Sequence, residues 1–288
     1  MTGDAGGSSG DSVMVIQASP AWALSNPREL WAYRELLYFL VWRDIKVRYK
    51  QSVLGAAWAV LQPAMTMVVF TIFFGRLAQV GSDGVPYPIF SFVALLPWTF
   101  FAQGLAGSAN SVVGSANLIT KIYFPRLIIP VAAVAAGVVD LAIASVLLLP
   151  LMTYFHVWPG PTALVAPLLL LMGFVASLGA GLWLAALNAS YRDVRHVFPF
   201  LIQMWLFVTP VIYPTSRVLA LLRQVGLPAW VLGLNPMVGV VEGFRWSLLG
   251  TPAPPGGVMA ASAAVALLLL VTGAAYFRRM ERSFADVV

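Results

Sequence analysis

Six apolar stretches, at about residues 55–76, 88–108, 127–154, 163–188, 197–214 and 256–277, dominate the chain, and the short breaks between them hold most of its charge. A helix needs about 20 mostly apolar residues to cross a bilayer. Hydrocarbon admits only structures that satisfy their own backbone hydrogen bonds, so the expected fold is an all-α integral membrane protein with six spans. Composition agrees: 60% of the 288 residues are hydrophobic and 10% are charged, against about 25% charged in soluble domains. Pro63, Pro97, Pro130, Pro150, Pro199 and Pro210 fall inside the spans and predict kinked helices whose freed carbonyls are satisfied by neighbours.

Orientation follows from the flanks, because cytoplasmic loops retain Lys and Arg. Arg28, Arg34, Arg43, Lys46, Arg48 and Lys50 precede span one. Lys121 and Arg126 lie between spans two and three, Arg192 and Arg195 between four and five, and Arg278, Arg279 and Arg282 after six. The other side has Arg76, Arg217, Arg223 and Arg245, and thirteen against four places both termini in the cytoplasm. The net charge of +6 is confined to these breaks. It fits anionic headgroups and topology control rather than a nucleic-acid partner.

Residues 1–26 are Gly/Ser-rich and read as a flexible cytoplasmic tail, not as a signal peptide. Residues 27–54 read as an amphipathic interface helix. Asn26 can cap it and Pro27 suits its first turn; Leu30, Tyr33, Leu37 and Leu40 recur at helical spacing beside a stripe of Trp31, Tyr38, Trp42, Ile45 and Tyr49, and Asp44 can pair with Arg48. The six-span domain fills 55–280, and 281–288 form a second tail. The break at 106–125 reads as a small cytoplasmic helix and turn able to seat in another protein. The break at 215–255 has apolar patches too short to cross and reads as two re-entrant or interfacial helices on the outer side.

Chemistry is sparse. No phosphate-binding G-x-x-x-x-G-K-[ST] loop occurs, so ATP-driven work must come from a partner. G-x-S-x-G and H-E-x-x-H are absent, as is cysteine, and the two histidines, His156 and His196, offer no metal centre. No catalytic residue is expected. Asp140 is the one acid inside a span; it is either a transport group or a carboxylate settled by hydrogen bonding, and it has no basic partner within the spans. Trp58, Phe70, Phe73, Phe74, Trp98, Phe101, Trp205, Phe207 and Tyr213 either pack and face lipid or line a conduit on which sugar rings slide. Glu242 and Arg245, three apart, read as an ion pair on the outer helices. The Asn188 sequon sits at the cytoplasmic end of span four and is discounted.

Four dispersed motifs, "RDIKVRYKQSVLGAAWAVLQP", "NLITKIYFPRLIIP", "YRDVRHVFPFLIQMWLFVTPVIYP" and "NPMVGVVEGFRWSLLG", resemble in order and spacing the membrane subunit of ABC-2-type polysaccharide exporters. That group includes the O-antigen, capsule and teichoic-acid permeases. The resemblance runs from about Pro27 to Arg279. It implies a bacterial inner-membrane homodimer seated on two copies of a cytoplasmic P-loop ATPase, with ATP and Mg on that partner and no cofactor in this chain, exporting an undecaprenyl-pyrophosphate-linked glycan. It further implies that 111–124 is the coupling segment, that Asn117, Lys121, Tyr123, Arg192, Asp193 and Arg195 couple to the ATPase and that 215–247 form outer helices near the exit. Arg43, Lys46, Arg48 and Lys50 lie where a lipid pyrophosphate would approach, a recognition role that stands beside simple anchoring. Two alternatives remain: an ABC-2 exporter of a small molecule or lipid, and a polytopic glycosyl- or acyltransferase, for which His156 is a lone candidate.

Overall fold

A computed structural model describes residues 31–50, 54–121, 124–191, 193–281 and 284. The expected cap at Asn26 and Pro27, together with Leu30, Tyr123, Arg192 and Arg282, lies outside the described residues. Those described form helices and turns without a strand.

Helix α1 (Arg34–Lys50) packs along the third span. Its Leu40 is buried and Tyr33, Leu37 and Val41 are partly buried, whereas Trp31, Tyr38 and Trp42 stay exposed. Helix α2 (Ala57–Phe70) runs through Pro63 and continues as a π-helical segment, Thr71–Leu77, closed by a bond from Ala78 N–H to the Phe73 carbonyl at 2.9 Å. Helix α3 (Tyr87–Gly114) is followed by the one-turn α4 (Ala116–Lys121). The next apolar stretch divides into α5 (Ile128–Ser145) and α6 (Leu148–Phe155). Pro150 explains the division: it has no N–H to offer the Val146 carbonyl, and the chain tightens into bonds from Val146 N–H to Ile143 and from Leu147 N–H to Ala144.

A 3₁₀ turn at Pro161–Val165 leads into α7 (Ala166–Ser190), followed by α8 (Val194–Val208). Helix α9 (Thr215–Val225), a 3₁₀ segment (Ala229–Leu234), α10 (Pro236–Leu249) and α11 (Gly256–Glu281) complete the chain. Among the described residues five helical segments, with α5 and α6 counted as one, are long and apolar enough to cross a membrane. The fifth apolar stretch gives the shorter α8; its 15 residues make about 22 Å at 1.5 Å per residue, short of the roughly 30 Å hydrocarbon layer. Pro210, without an N–H, follows the turn that ends it.

Helix α3 is the axis of the bundle, packed by α5, α7 and α10, with 78% of its most apolar window buried against 11% for α2. Small residues let the backbones approach: a Cβ at Gly179 of α7 would stand 2.5 Å from the Leu270 nitrogen of α11. The ends of the bundle differ in charge. At one end Asn188 donates to the Ala109 carbonyl at 2.9 Å and Arg126 N–H to Glu281 Oε1 at 3.1 Å. This basic end gathers α4, the turn after α7 and the end of α11. At the opposite end Tyr87 Oη donates to the Ile212 carbonyl at 2.7 Å, Thr162 Oγ1 to the Ser247 carbonyl at 3.0 Å and Ser216 Oγ to Asp83 at 2.8 Å.

Candidate functional site

Asp140 does have a basic partner, and it comes from outside the spans. The last turn of α1 lies against α5, where Arg48 Nη1 pairs with Asp140 Oδ2 and Tyr49 Oη donates to Oδ1. No basic partner is expected within the spans, and this one is far away in sequence, on a helix that packing brings alongside. Burial raises the Tyr49 hydroxyl above its ordinary 10.0, with Arg48 pulling the other way, so Tyr49 is a donor at neutral pH. With Arg48 so engaged, Asp44 bonds instead to its neighbour Arg43, at 2.8 and 3.0 Å, which corrects the expected Asp44–Arg48 pair. Lys46 and Lys50 are exposed, with no ion pair among the described residues.

The Arg48–Asp140 pair forms one wall of a cleft of about 480 Å³ between α1, α2, α3 and α5, with Trp58 and Gln62 on the α2 side and Gln103 and Asn110 on the α3 side. Trp58 stands at the start of α2, where an indole marks the edge of the apolar layer.

Glu242 and Arg245 form a second pair, and this one is buried. Arg245 has no exposed surface; its Nη1 donates to Glu242 at 2.7 Å and to the Pro210 carbonyl at 2.6 Å, and Nη2 donates to the Val211 carbonyl at 2.7 Å. Its guanidinium lies 3.6 Å from the Phe90 ring centre. The pair thus fastens the non-helical turn after α8 to α10 and α3. Asn235 reinforces it: its side chain accepts from Met237 N–H at 3.1 Å and Trp205 Nε1 at 3.0 Å and donates to Thr209 at 2.9 Å.

The candidate channel aromatics divide into two sets. Trp98, Phe101 and Trp205 make an internal cluster with ring centres 5.6 and 5.0 Å apart, and Phe70 is buried with Phe74 edge-on to it. Trp58, Phe73 and Phe207 are exposed, while Tyr213 is partly buried and donates to the Phe207 carbonyl at 2.9 Å. Of the coupling candidates, Asn117, Lys121, Asp193 and Arg195 are exposed on α4 and on the start of α8, at the basic end.

A family profile described as ABC-2 type transporter matches residues 35–249, from α1 to the end of α10. The chain belongs to this family. Similar proteins include the O-antigen export system permease protein RfbA of Myxococcus xanthus, 32% identical over 219 residues, which are 76% of this chain and 82% of the relative. An O-antigen export system permease protein RfbA of Klebsiella pneumoniae is 22% identical over 260 residues, 88% of this chain and 95% of the relative. The polysialic acid transport protein KpsM of Escherichia coli is 23% identical over 216 residues, 72% of this chain and 78% of the relative. As an ABC-2 family member the chain is a multi-pass membrane transport subunit. Among the described residues no cluster of His, Cys, Asp or Glu could hold a metal. Exposed His156 closes α6 with a left-handed backbone and, among the described residues, has no carboxylate partner.

Two things escape the sequence reading. One is the pairing of Arg48 and Tyr49 with Asp140; the available signal is that a carboxylate inside a span demands a compensating donor, and the densest basic run stands directly before span one. The other is that Arg245, besides its pair with Glu242, seals the turn after α8. Its signal is an arginine and a glutamate three apart in the mostly apolar run of α10.

Proposed function

We propose that this ABC-2 subunit is the permease of a polysaccharide exporter, moving a glycan linked to a polyprenyl pyrophosphate from the cytoplasm to the outer side of the inner membrane. The observation that carries the reading is the similarity to O-antigen and polysialic acid permeases over 76% and 72% of this chain, beside a family profile that matches residues 35–249 and so takes in α1 and the cleft. The basic end faces the cytoplasm, following the Lys and Arg distribution. There α4 and the start of α8 offer Asn117, Lys121, Asp193 and Arg195 to a separate P-loop ATPase, which binds ATP and Mg; Tyr123 and Arg192, which lie outside the described residues, belong to the same proposal. Exposed Lys46 and Lys50 take the pyrophosphate, with Arg43 beside them held by Asp44, since multiple cations match a multiply charged headgroup. Arg48 is committed to Asp140 and ties this cationic helix to the spans.

Two copies enclose the conduit. Helices α2 and α8 leave long apolar faces exposed, including Trp58, Phe73 and Phe207, and six apolar stretches are too few to surround a polymer alone. In the assembled subunit α8 and the turn after it make the sixth crossing, and α9 and α10 form the outer-side elements near the exit.

The test is gentle affinity purification of the tagged chain from its native membrane, with mass spectrometry of proteins and lipids. A P-loop ATPase at equal stoichiometry with a polyprenyl-pyrophosphate glycan is expected. A chain that purifies without any ATPase under several mild conditions overturns the reading.

A further inference from the structure

The cleft beside Asp140 differs in chemistry from the exposed lysines near it. Arg48 and Asp140 cancel each other's charge, so the wall they form is polar without being an anion trap. Gln62 and Gln103 lie within spanning helices, and neither side chain has a hydrogen-bond partner among the described residues. An amide facing hydrocarbon in that state is strongly unfavourable, so these groups require water or a ligand that both donates and accepts. Trp58 is 51% exposed and presents a flat apolar surface to the same space. A volume of about 480 Å³ lies within the range of small-molecule sites, roughly 300–1,000 Å³.

A ring with one apolar face and a rim of hydroxyls satisfies all of these at once. Phosphate does not, because Asp140 opposes it and, although the amide N–H groups can donate to it, the two amide oxygens find no donor on an ionised phosphate. An acyl chain leaves the amides unpaired. We infer that the cleft is a subsite for a neutral sugar ring of the cargo, stacked on Trp58 and hydrogen-bonded by Gln62, Gln103 and the outer lone pairs of Asp140. The inference rests on the polysaccharide reading and deepens it: the headgroup phosphate stays on Lys46 and Lys50, and the first sugars are inspected inside the cleft.

The experiment replaces Gln103 with p-benzoylphenylalanine in the full chain, irradiates native membranes and sequences the adduct by mass spectrometry. Sugar fragment ions on the peptide that holds position 103 are expected. Adducts with acyl chains alone, with another protein or with a second copy of this chain, or no adduct, overturn the subsite. In parallel, Trp58→Ala and Gln103→Leu should each lower surface glycan about tenfold at unchanged subunit abundance, while Trp58→Phe retains export. If deleting the chain leaves surface glycan unchanged, the transport reading itself fails. If deletion and Lys46→Gln/Lys50→Gln abolish export but the Trp58 and Gln103 variants do not, the sugar subsite alone fails.

Discussion

The pairs Glu242–Arg245 and Arg48–Asp140 join the same two chemical groups in very different surroundings. The Arg245 side chain is 0% exposed, and besides Glu242 its donors serve carbonyls of the turn at 210–213 and of Phe90. The Arg48 side chain is 39% exposed and that of Asp140 11%, with a cleft on one side of the pair. A guanidinium with its donors saturated by backbone is a fixed clamp, since moving it strands several buried acceptors together. One that shares a carboxylate with a tyrosine and borders a cleft can exchange its partner for water or ligand. The first pair therefore sets architecture, and the second is placed to respond when α1 moves.

Arg245→Met is the strongest test of that difference. It leaves Glu242 charged and buried and removes the donors to Pro210 and Val211, a loss of about 3–5 kcal/mol or more. Subunit abundance and the detergent melting temperature should both collapse, and adding Glu242→Leu should restore only part because the carbonyls stay unpaired. Near-normal abundance of Arg245→Met would show that the clamp is no more structural than the other pair. Asp140→Asn comes next: it keeps the shape and the Tyr49 contact but loses the ion pair, about 1.5–3 kcal/mol for a hydrogen bond to a charged group. Part of this is recovered because Arg48 already reaches solvent. Abundance should remain while export and ATP turnover fall. If export and turnover fall only in proportion to abundance, Asp140 is a packing residue.

The helices and the charge asymmetry are legible in the sequence because both depend on local composition: apolar length fixes the spans, and Lys and Arg sort to the breaks. The ends of helices are less so. Pro150 divides a span while the helices run through Pro63, Pro97 and Pro199 unbroken, a difference that depends on which neighbours take up each freed carbonyl. The candidate site is legible as a set of residue types but not as an arrangement. Arg43, Lys46, Arg48 and Lys50 look alike in sequence, yet two are neutralised by carboxylates and two face outward. Nothing local separates them, because Asp140 is brought to Arg48 by the packing of α1 on α5. Likewise Phe101 and Phe73 are equivalent aromatics in composition, one enclosed on the axial helix and the other exposed on a peripheral one.

Smaller substitutions sharpen the contrast between the fixed and the yielding pair. A Cβ at Gly239 of α10 would meet the Ser262 side chain at 2.7 Å, and Gly239 N–H donates to Ser262 Oγ at 3.1 Å. Gly239→Ala should therefore destabilise the outer end by about 1–3 kcal/mol through overpacking, read as a lower melting temperature. No melting shift would mean that α10 has room to move. Tyr49→Phe is the mildest, removing one donor from Asp140 and leaving Arg48 in place, about 0.5–1.5 kcal/mol. Because the folded state holds the Tyr49 proton more tightly than the ordinary 10.0, its contribution is complete below pH 10 and fades as pH rises through the raised value. The wild-type melting temperature should thus lose more as the pH is raised from neutral to above the ordinary 10.0 than that of the phenylalanine variant. Equal losses would place the Tyr49 hydroxyl outside the energetics of the pair, leaving Arg48 as the sole attachment of α1 to Asp140 and making that attachment easier to release.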